Sequence, residues 1–446
     1  MRILSVDVGT SAIKATLWRG QRQGKARRQP VVSRWDGVKA EIPARRLLAD
    51  IERTVAAAAG RQPVDVISLG VFSAAPMVCD RDGRVRVDII THADRRSVEE
   101  ARQIEREIGA QRVLRLSGNR PVPGGIGSST LRWLHRHQPQ ALGQGAQVGQ
   151  ASSYILRHWT GQWVIDPSQA VFLGLLQIAT QRWSAELCRA CGVPVSALPE
   201  LQFADTVMGH LTPAAAQRLG LKSGTPVVGG LVDTGAAVIA AGLTPGQLLH
   251  SAGSTDVQAL VLEQPCPGPT WLTRPLGTGG TLPQRWLAVS TIAASGSALQ
   301  WAHRALFGQL NAVQFDALVR RICRRPISGG VGFSPYLAGD RTSIEQSRAC
   351  ISGLTLAATP PQILSAMIEG LVAASADRFA QLRALHPVRS TIATTGRAGA
   401  LGDAMHRAWS KSGRWDFVRL GNANLLGLRL LAQSALQRPT KTGAPA

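Results

Sequence analysis

The sequence predicts an α/β protein built from two similar lobes with a cleft between them. Strand-forming and helix-forming segments alternate along the chain, which is the pattern of mixed sheets flanked by helices. Each half opens with a strand, a turn of small residues and a second strand, at 3–18 and at 246–261. The turn sequence Thr244-Pro245-Gly246 lies between the halves, so we divide the chain into residues 1–245 and 246–446.

Hydrophobic spacing and turn residues predict the elements of the first half. Alternating or continuous apolar residues indicate strands, and apolar residues three to four positions apart indicate helices. In chain order, the predicted elements are strands at 3–6, 13–18 and 64–71, helices at 44–59 and 97–108, a hairpin turn at 80–83, and a helix that ends at Gly161.

The same criteria predict a mainly helical second half behind its opening hairpin. A strand at 389–395 runs into Gly396. The predicted helices lie at 291–307, 312–324, 359–384 and 399–413.

Composition favours a folded protein and places limits on its partners. The 446 residues are 44% hydrophobic and 17% charged, which excludes a disordered or collagen-like chain. Lys and Arg number 50 against 28 Asp and Glu, giving a net charge of +22 that is spread evenly over both halves. A nucleic-acid-binding protein usually concentrates its cations, and the densest cluster, at 19–28, is typical of a solvated loop. Nucleic-acid binding is therefore kept only as a minor hypothesis.

Cysteine and apolar patterns argue against metal, secretory and membrane roles. Only Cys188 and Cys191 of the six cysteines are close together, and no second such pair completes a zinc site. The first residues carry Asp7 early, unlike a secretory leader. The longest apolar stretch, 227–243, contains Asp233 and is too short to span a bilayer. We expect a cytoplasmic protein with reduced thiols.

The first small-residue turn, Asp7 to Ser11, is suited to phosphate. Gly9 allows the backbone to approach an anion closely, and the hydroxyls of Thr10 and Ser11 can donate to phosphate oxygens. Asp7 offers a carboxylate to Mg²⁺, which prefers one or two carboxylates together with water and phosphate oxygens. A plain polar hairpin turn is the alternative.

The second half holds a matching turn, Ser251 to Thr255, whose small residues and hydroxyls would form a second phosphate cradle. This turn also has a purely structural alternative. Two such turns at equivalent places in two lobes are, however, more specific than either alone.

Asp233 stands alone in an apolar stretch, where an unpaired buried charge would be costly. It is suited to cap a helix at 236–241. The more specific interpretation is a general base beside a helix N-terminus, placed to take a proton from a substrate hydroxyl.

Together these segments resemble the FGGY carbohydrate kinases of the actin-like superfamily over nearly the whole chain. The matching segments are Asp7–Ser11, Thr160–Gly161 with Asp166, Ser168 and Ala170, Leu198–Pro199, Gly230–Gly242, Gly253–Thr255, Phe333–Arg341, Glu369–Gly370 and Leu425–Gly427. The resemblance implies two actin-like, ribonuclease H-like lobes that close over ATP and a sugar. It further implies that Asp233 is the general base and that Asp7 lies near Mg²⁺.

The resemblance also assigns binding residues. The predicted nucleotide-binding residues are Asp7, Gly9, Thr10, Ser11, Gly253, Ser254, Thr255, Gly396, Arg397 and Gly399. The predicted substrate-binding residues are Ser73, His92, Asp94 and Asp233. For His92 a surface position is the alternative, and for Asp94 the alternative is a salt bridge with Arg96.

The sequence departs from the family pattern near both ligands. His92 stands where the family usually has Trp, Asp340 replaces Glu, and Phe72–Met77 lacks the Gln-Met-His of typical xylulose kinases. The segment that corresponds to the family's adenosine loop is Thr394–Gly399 instead of a run of glycines.

From the resemblance as a whole we predict an ATP-dependent kinase for a sugar, ketose, polyol or aldonate, with xylulose favoured. A non-catalytic relative that binds sugar or nucleotide as a regulator is the alternative, and a homodimer is left open.

Overall fold

The computed structural model describes residues 1–345, 347–396 and 399–437. Two large mixed sheets dominate it, and each begins with the hairpin that the sequence predicts. In the first, β1 (Arg2–Val8) pairs antiparallel with β2 (Ala12–Arg19) and parallel with β7 (Val66–Val71). In the second, β18 (Leu248–Ala252) pairs antiparallel with β19 (Asp256–Leu262). On its other side β18 lies parallel to β24 (Thr391–Thr395).

The spatial order of the first sheet is β16-β17-β7-β1-β2-β3, and β4 also pairs with β2. The remaining strands of this half are β3 (Arg22–Gln23), β4 (Arg27–Pro30), β5 (Arg34–Asp36), β6 (Lys39–Ile42), β8 (Pro76–Asp80), β9 (Val85–Val87), β10 (Ile89–Ile90), β11 (Ala146–Gln150), β12 (Val164–Ile165), β13 (Leu176–Gln177), β14 (Arg182–Trp183), β15 (Glu200–Leu201), β16 (Val207–His210) and β17 (Pro226–Leu231). Its helices are α1 (Ala44–Ala59), α2 (Val98–Ile108), α3 (Ala110–Ser117), α4 (Gly127–His137), α5 (Ala151–Thr160), α6 (Pro167–Ala170), α7 (Ala185–Ala190), α8 (Pro213–Leu219) and α9 (Asp233–Ala240).

The spatial order of the second sheet is β20-β21-β19-β18-β24-β25. The strands not yet named are β20 (Leu272–Pro275), β21 (Trp286–Ile292), β22 (Gly332–Ser334), β23 (Cys350–Ser352) and β25 (Asp416–Arg419). The helices are α10 (Gly296–Leu306), α11 (Ala312–Arg324), α12 (Pro360–Leu385), α13 (Gly399–Trp409) and α14 (Ala423–Gln437).

The last helix returns to the first sheet. Leu425, Leu428 and Leu431 of α14 are buried in one cluster with Ile3 of β1 and Ala236 of α9. Helix α14 therefore packs near the turn after β1 and against the helix that begins with Asp233. The boundary between residues 245 and 246 stays a prediction, and a single cut there separates α14 from the sheet on which it packs.

Polar contacts join the two halves at the cleft. The Asn119 side chain donates to the Thr273 carbonyl at 2.8 Å and accepts from the Thr273 N–H at 2.9 Å. The Asp205 carboxylate accepts from the backbone of Thr281 at 2.6 Å. Arg95 donates to the Ala338 carbonyl at 3.2 Å. These contacts fix β20 and the segment before Arg341 against the first half.

Several predicted element bounds are confirmed and two are wrong. Helices α1 and α11 span the predicted residues. The helix expected at 291–307 instead begins at Gly296, because the preceding strand β21 continues to Ile292. The helix expected at 399–413 ends as α-helix at Trp409, after which 410–412 forms a tighter 3₁₀ turn before Gly413. Among the described residues, no helix has the length and apolar character that crossing a membrane would require.

Candidate active site

The first predicted phosphate turn, Asp7 to Ser11, connects β1 to β2. Gly9 donates its N–H to the Ala12 carbonyl at 3.0 Å, which closes the turn. Thr10 is half-buried and Ser11 is exposed. The turn therefore presents two hydroxyl side chains at the end of a strand that is otherwise buried.

Asp7 lies directly before this turn and is 4% exposed. Lys14 Nζ is 3.5 Å from Asp7 Oδ2, and Asn424 Nδ2 of α14 is 3.4 Å from the same oxygen. Burial raises the pKa of Asp7 to about 6 against the opposing effect of Lys14, and the charge of Asp233 adds to the increase. The Asp7 and Asp233 carboxylates are thus close enough to repel each other.

This pair of carboxylates fits Mg²⁺ only when phosphate is also bound. Mg²⁺ is held in proteins by one or two carboxylates, with water and phosphate oxygens completing its shell. Within the described ranges, no group of three or more His, Cys, Asp or Glu side chains forms a metal site of its own. Magnesium binding by Asp7 stays a prediction, and its buried carboxylate is suited to it.

The second predicted phosphate turn joins β18 to β19 and is one residue shorter than the first, since Ala252 pairs with Asp256 whereas Val8 pairs with Ile13. Gly253 donates its N–H to the Thr255 carbonyl at 2.9 Å. The N-terminus of α10 ties the turn down, because the N–H groups of Ser295 and Gly296 donate to the carbonyls of Ser254 and Gly253 at 2.9 and 3.0 Å. Gly253 and Ser254 themselves are exposed.

A cavity of ≈ 150 Å³ opens beside this turn. It is bounded by Gly253, the start of α10 and the start of α13 at Gly399, and Leu299, Val319 and Met405 supply apolar walls. A small-residue turn next to an apolar slot is suited to a phosphate chain that leads to a flat base.

Gly396 directly follows β24 and allows the backbone there to lie close against β18. Its φ is +89°, and a Cβ there would lie 2.2 Å from the Ala252 carbonyl oxygen, so only glycine fits. Arg397, which the sequence also assigns to the nucleotide, lies outside the described residues.

Replacing Gly253 by Val is expected to weaken ATP binding by roughly tenfold or more without unfolding the protein. A Cβ at Gly253 meets no atom nearer than the Thr255 oxygen at 4.0 Å, so the fold has room for it, while the branched side chain would occupy the space above the turn. Calorimetric titration with ATP measures the affinity, and a melting curve monitors folding. Gly308→Val, at an exposed glycine with no contact closer than 3.5 Å, is the control. Unchanged ATP affinity in folded Gly253→Val would remove this turn from the nucleotide site.

Asp233 is the first residue of α9, and Val232 occupies the capping position before it. Asp233 is therefore not the N-cap residue of this helix, which was one of its two predicted roles. The N–H and the hydroxyl of Thr234 both donate to Asp233 Oδ1, at 2.6 and 3.2 Å. Asp233 Oδ2 receives neither bond, and the residue as a whole is only partly buried, so this oxygen is available to a ligand.

A buried polar chain positions the start of α9. The Ser168 hydroxyl accepts from the Val232 N–H at 3.2 Å and donates to Asp166 Oδ1 at 2.5 Å. Burial raises the pKa of Asp166 to about 7. Asp166 and Ser168 therefore orient Asp233 through the backbone.

The predicted substrate-binding residues differ in whether their polar side-chain atoms already have hydrogen-bond partners within the protein. The Ser73 hydroxyl donates to Gln169. His92 Nδ1 is buried and has no hydrogen-bond partner among the described residues. Burial, with smaller effects of Arg341 and Arg95, holds the pKa of His92 well below its usual range, so the ring is neutral. The residue as a whole is half-buried, and its substrate-binding role stays a prediction.

Asp94 is fully buried in an ion pair with Arg96. Arg96 donates to Asp94 Oδ2 at 2.7 Å, and the Ala40 N–H donates to the same oxygen at 2.8 Å, while Oδ1 takes the Arg96 N–H at 3.0 Å. A carboxylate accepts about four hydrogen bonds, so these contacts leave it little capacity for a ligand. The salt-bridge alternative describes this geometry, and the sugar-binding role of Asp94 stays a prediction.

Comparison with known proteins identifies the family. The model of the FGGY family of carbohydrate kinases, N-terminal domain, matches residues 2–240, and the C-terminal domain model of that family matches residues 248–400. The chain belongs to the FGGY carbohydrate kinases. It is therefore a phosphotransferase that acts on a sugar hydroxyl, and kinases of this family use ATP.

Individual relatives agree with this assignment. The xylulose kinase of Escherichia coli strain K12 is 28% identical over 386 residues, covering 84% of this chain and 77% of the relative. The structure of xylulose kinase from Rhodospirillum rubrum matches with a TM-score of 0.84 at 22% identity, covering 97% of this chain and 89% of that one. Gluconate kinase from Lactobacillus acidophilus gives the same TM-score at 20% identity, covering 98% and 89%. The predicted two-lobed α/β fold is confirmed.

Two residues of this FGGY kinase whose charges act on Asp233 were not predicted from the sequence. Arg274 of β20 is 5% exposed, and Arg341 follows the β22 segment; the positive charges of both interact with Asp233. Arg341 lies within the Phe333–Arg341 segment that was matched as a motif without a role. No local motif marks Arg274 in the sequence. Its position depends on the pairing of β20 with β21 and on the hydrogen bond between Thr273 of β20 and Asn119 of the first half.

Proposed function

We propose that this chain transfers the γ-phosphoryl group of ATP to a hydroxyl of a sugar, ketose, polyol or aldonate, with Asp233 as the general base. The observation that carries the proposal is the position of Asp233. It begins a helix, it neighbours Asp7 beside the first phosphate turn, and its Oδ2 takes no hydrogen bond within the described part of the chain.

The reaction follows from this placement. The substrate hydroxyl oxygen attacks the γ-phosphorus, the bond from that phosphorus to the β,γ-bridging oxygen breaks, and Asp233 Oδ2 takes the hydroxyl proton. The products are the phosphorylated substrate and ADP. Proton removal at this atom raises the nucleophilicity of the substrate oxygen at the moment it bonds to phosphorus.

The two turns hold the transferred group in line. Thr10, Ser254 and Thr255 supply hydroxyl donors to the phosphate oxygens, and the ordered turns fix their positions before the substrate arrives. Asp7 would hold Mg²⁺, which neutralises phosphate charge when it is bound. The cavity bounded by Leu299, Val319 and Met405 would take the adenine ring.

The substrate is best sought with a panel of ketoses, polyols and aldonates under Mg·ATP, followed as ADP release. The Escherichia coli relative is a xylulose kinase, so D-xylulose is the first ketose to test. Sugar-dependent ADP release supports catalysis, whereas nucleotide binding without any turnover would favour a regulator that kept the fold.

A further inference from the structure

Two arginines in the cleft carry N–H groups that the described residues leave without partners. The Nε and Nη2 groups of Arg274 are buried and unpaired, and so is Nε of Arg341. Buried hydrogen-bond donors are almost always paired, and a buried charge without a partner is costly. Burial lowers the pKa of each guanidinium to about 10, so both remain cationic at neutral pH. One buried cation, Arg274, and one half-buried cation, Arg341, thus carry three buried donors that are suited to an anionic ligand.

Contacts with the first half of the chain fix the position of Arg274. Its guanidinium lies over the Phe172 ring, 5.6 Å from the ring centroid. The double hydrogen bond between Asn119 and Thr273 fixes the neighbouring residue of β20. The side chain is thus held by the first half while it projects from the second, at the place where the two halves meet.

Arg341 belongs to the predicted sugar side of the cleft. It interacts electrostatically with His92, Arg95 and Asp233 as well as with Arg274. Arg95 itself is already committed, because it donates to the carbonyls of His92, Asp94 and Ala338. Arg341 has no such carbonyl partner for its Nε among the described residues.

Both arginines lie beside the predicted substrate-binding residues. Arg274 lies over Phe172, three residues after Gln169, and Gln169 accepts from the Ser73 hydroxyl. The Ala338 carbonyl, just before Arg341, accepts from Arg95, which also donates to the His92 carbonyl. These contacts associate the unpaired donors with the acceptor side of the cleft.

We propose that the acceptor is a sugar acid, whose carboxylate is held side-on by the Nε and Nη2 groups of Arg274 and is contacted by Arg341. The inference rests on the proposed function. The planar guanidinium fork matches a carboxylate with two parallel hydrogen bonds. The two positive charges also favour an anionic acceptor over a neutral one.

The first test compares acceptors that differ only at this group. The pairs are D-gluconate with D-glucitol and D-xylonate with xylitol, with D-xylulose as the ketose, each under Mg·ATP. We expect kcat/KM for each acid to exceed that of its polyol by on the order of 10²–10⁴-fold, because a site built to bind a polar group rejects an analogue that lacks it. Equal or better use of the neutral partner overturns the inference and leaves the kinase assignment standing.

The second test removes each guanidinium. Arg274→Met and Arg341→Met are expected to lower kcat/KM for the acid by roughly 10²-fold more than kcat/KM for its polyol, so the ratio of the two values falls towards one. Arg383→Met is the control, since Arg383 also lies over an aromatic ring, at 5.0 Å from the Trp415 centroid, but belongs to α12 and donates to the Ser412 carbonyl. If both cleft variants fold and keep the preference for the acid, the inference is wrong.

Binding separates this inference from the proposed function. Calorimetric titration of wild-type protein with D-gluconate and D-xylonate, in the presence of a non-hydrolysable ATP analogue, needs no turnover. Binding of an acid but not of its polyol supports the carboxylate site, whether or not any acceptor is phosphorylated. Absence of phosphorylation with every acceptor would count against catalysis by Asp233 and would leave the carboxylate site standing. Binding of sugar phosphates in preference to both acids, or of none of these probes, overturns it.

Discussion

Asp233→Asn is expected to lower turnover by roughly 10²–10⁴-fold while ATP still binds. The substitution preserves shape, so the amide oxygen of the new side chain can still accept from the Thr234 N–H, which lies 2.6 Å from the carboxylate in the wild-type protein. The amide nitrogen that replaces the second oxygen has no lone pair for the substrate proton. Steady-state ADP release on the best acceptor and calorimetric ATP titration are the two measurements.

Two variants decide whether the loss is specific. Asp82→Asn alters a carboxylate in the exposed turn after β8 and should leave turnover unchanged. Asp7→Asn removes the other carboxylate of the cleft and should weaken Mg·ATP binding, which Asp233→Asn should not. Near wild-type turnover in folded Asp233→Asn would show that the proton goes elsewhere.

The fold was predictable where local signals agree with tertiary structure. Helix α11 has its predicted bounds because Asn311 and Gln314 form a capping box at one end of an amphipathic segment. The error at 291–307 arose because every residue of β21 is buried. A strand buried on both faces has no period-2 alternation, so its apolar run resembles the start of the following helix.

Candidate site residues could be proposed from the sequence only where one short segment carries the pattern. The two predicted phosphate turns and Asp233 each lie within a few consecutive residues, so the order of small residues, hydroxyls and one carboxylate is enough to propose them. Arg274 was hidden because its neighbours, Phe172 and Asn119, are about a hundred residues or more away along the chain. The pairing of Asp94 was equally hidden, because spacing cannot show whether a carboxylate turns to Arg96 or to a ligand.

Gly427→Ala is expected to destabilise the protein by about 3 kcal/mol or more and to lower turnover with it. A Cβ at Gly427 would lie 1.7 Å from the Ala236 carbonyl oxygen and 2.5 Å from its carbon, distances that no rotamer relieves. Helix α14 must therefore move away from α9 as a unit. Because Asp233 is the first residue of α9 and Asn424 of α14 contacts Asp7, this movement would displace both cleft carboxylates.

Thermal and urea unfolding measure the loss of stability, and ADP release measures the loss of turnover. Gly421→Ala is the matched control, since an added Cβ at that glycine, just before α14, meets no atom within 4 Å. The close approach at Gly427 also explains why the final helix belongs to the first sheet: only glycine lets the two helix backbones come near enough to bury Leu425 and Leu428 against Ile3. A Gly427→Ala protein with wild-type melting temperature would mean that the helices do not pack this closely, and the positioning of Asp233 would then need another cause.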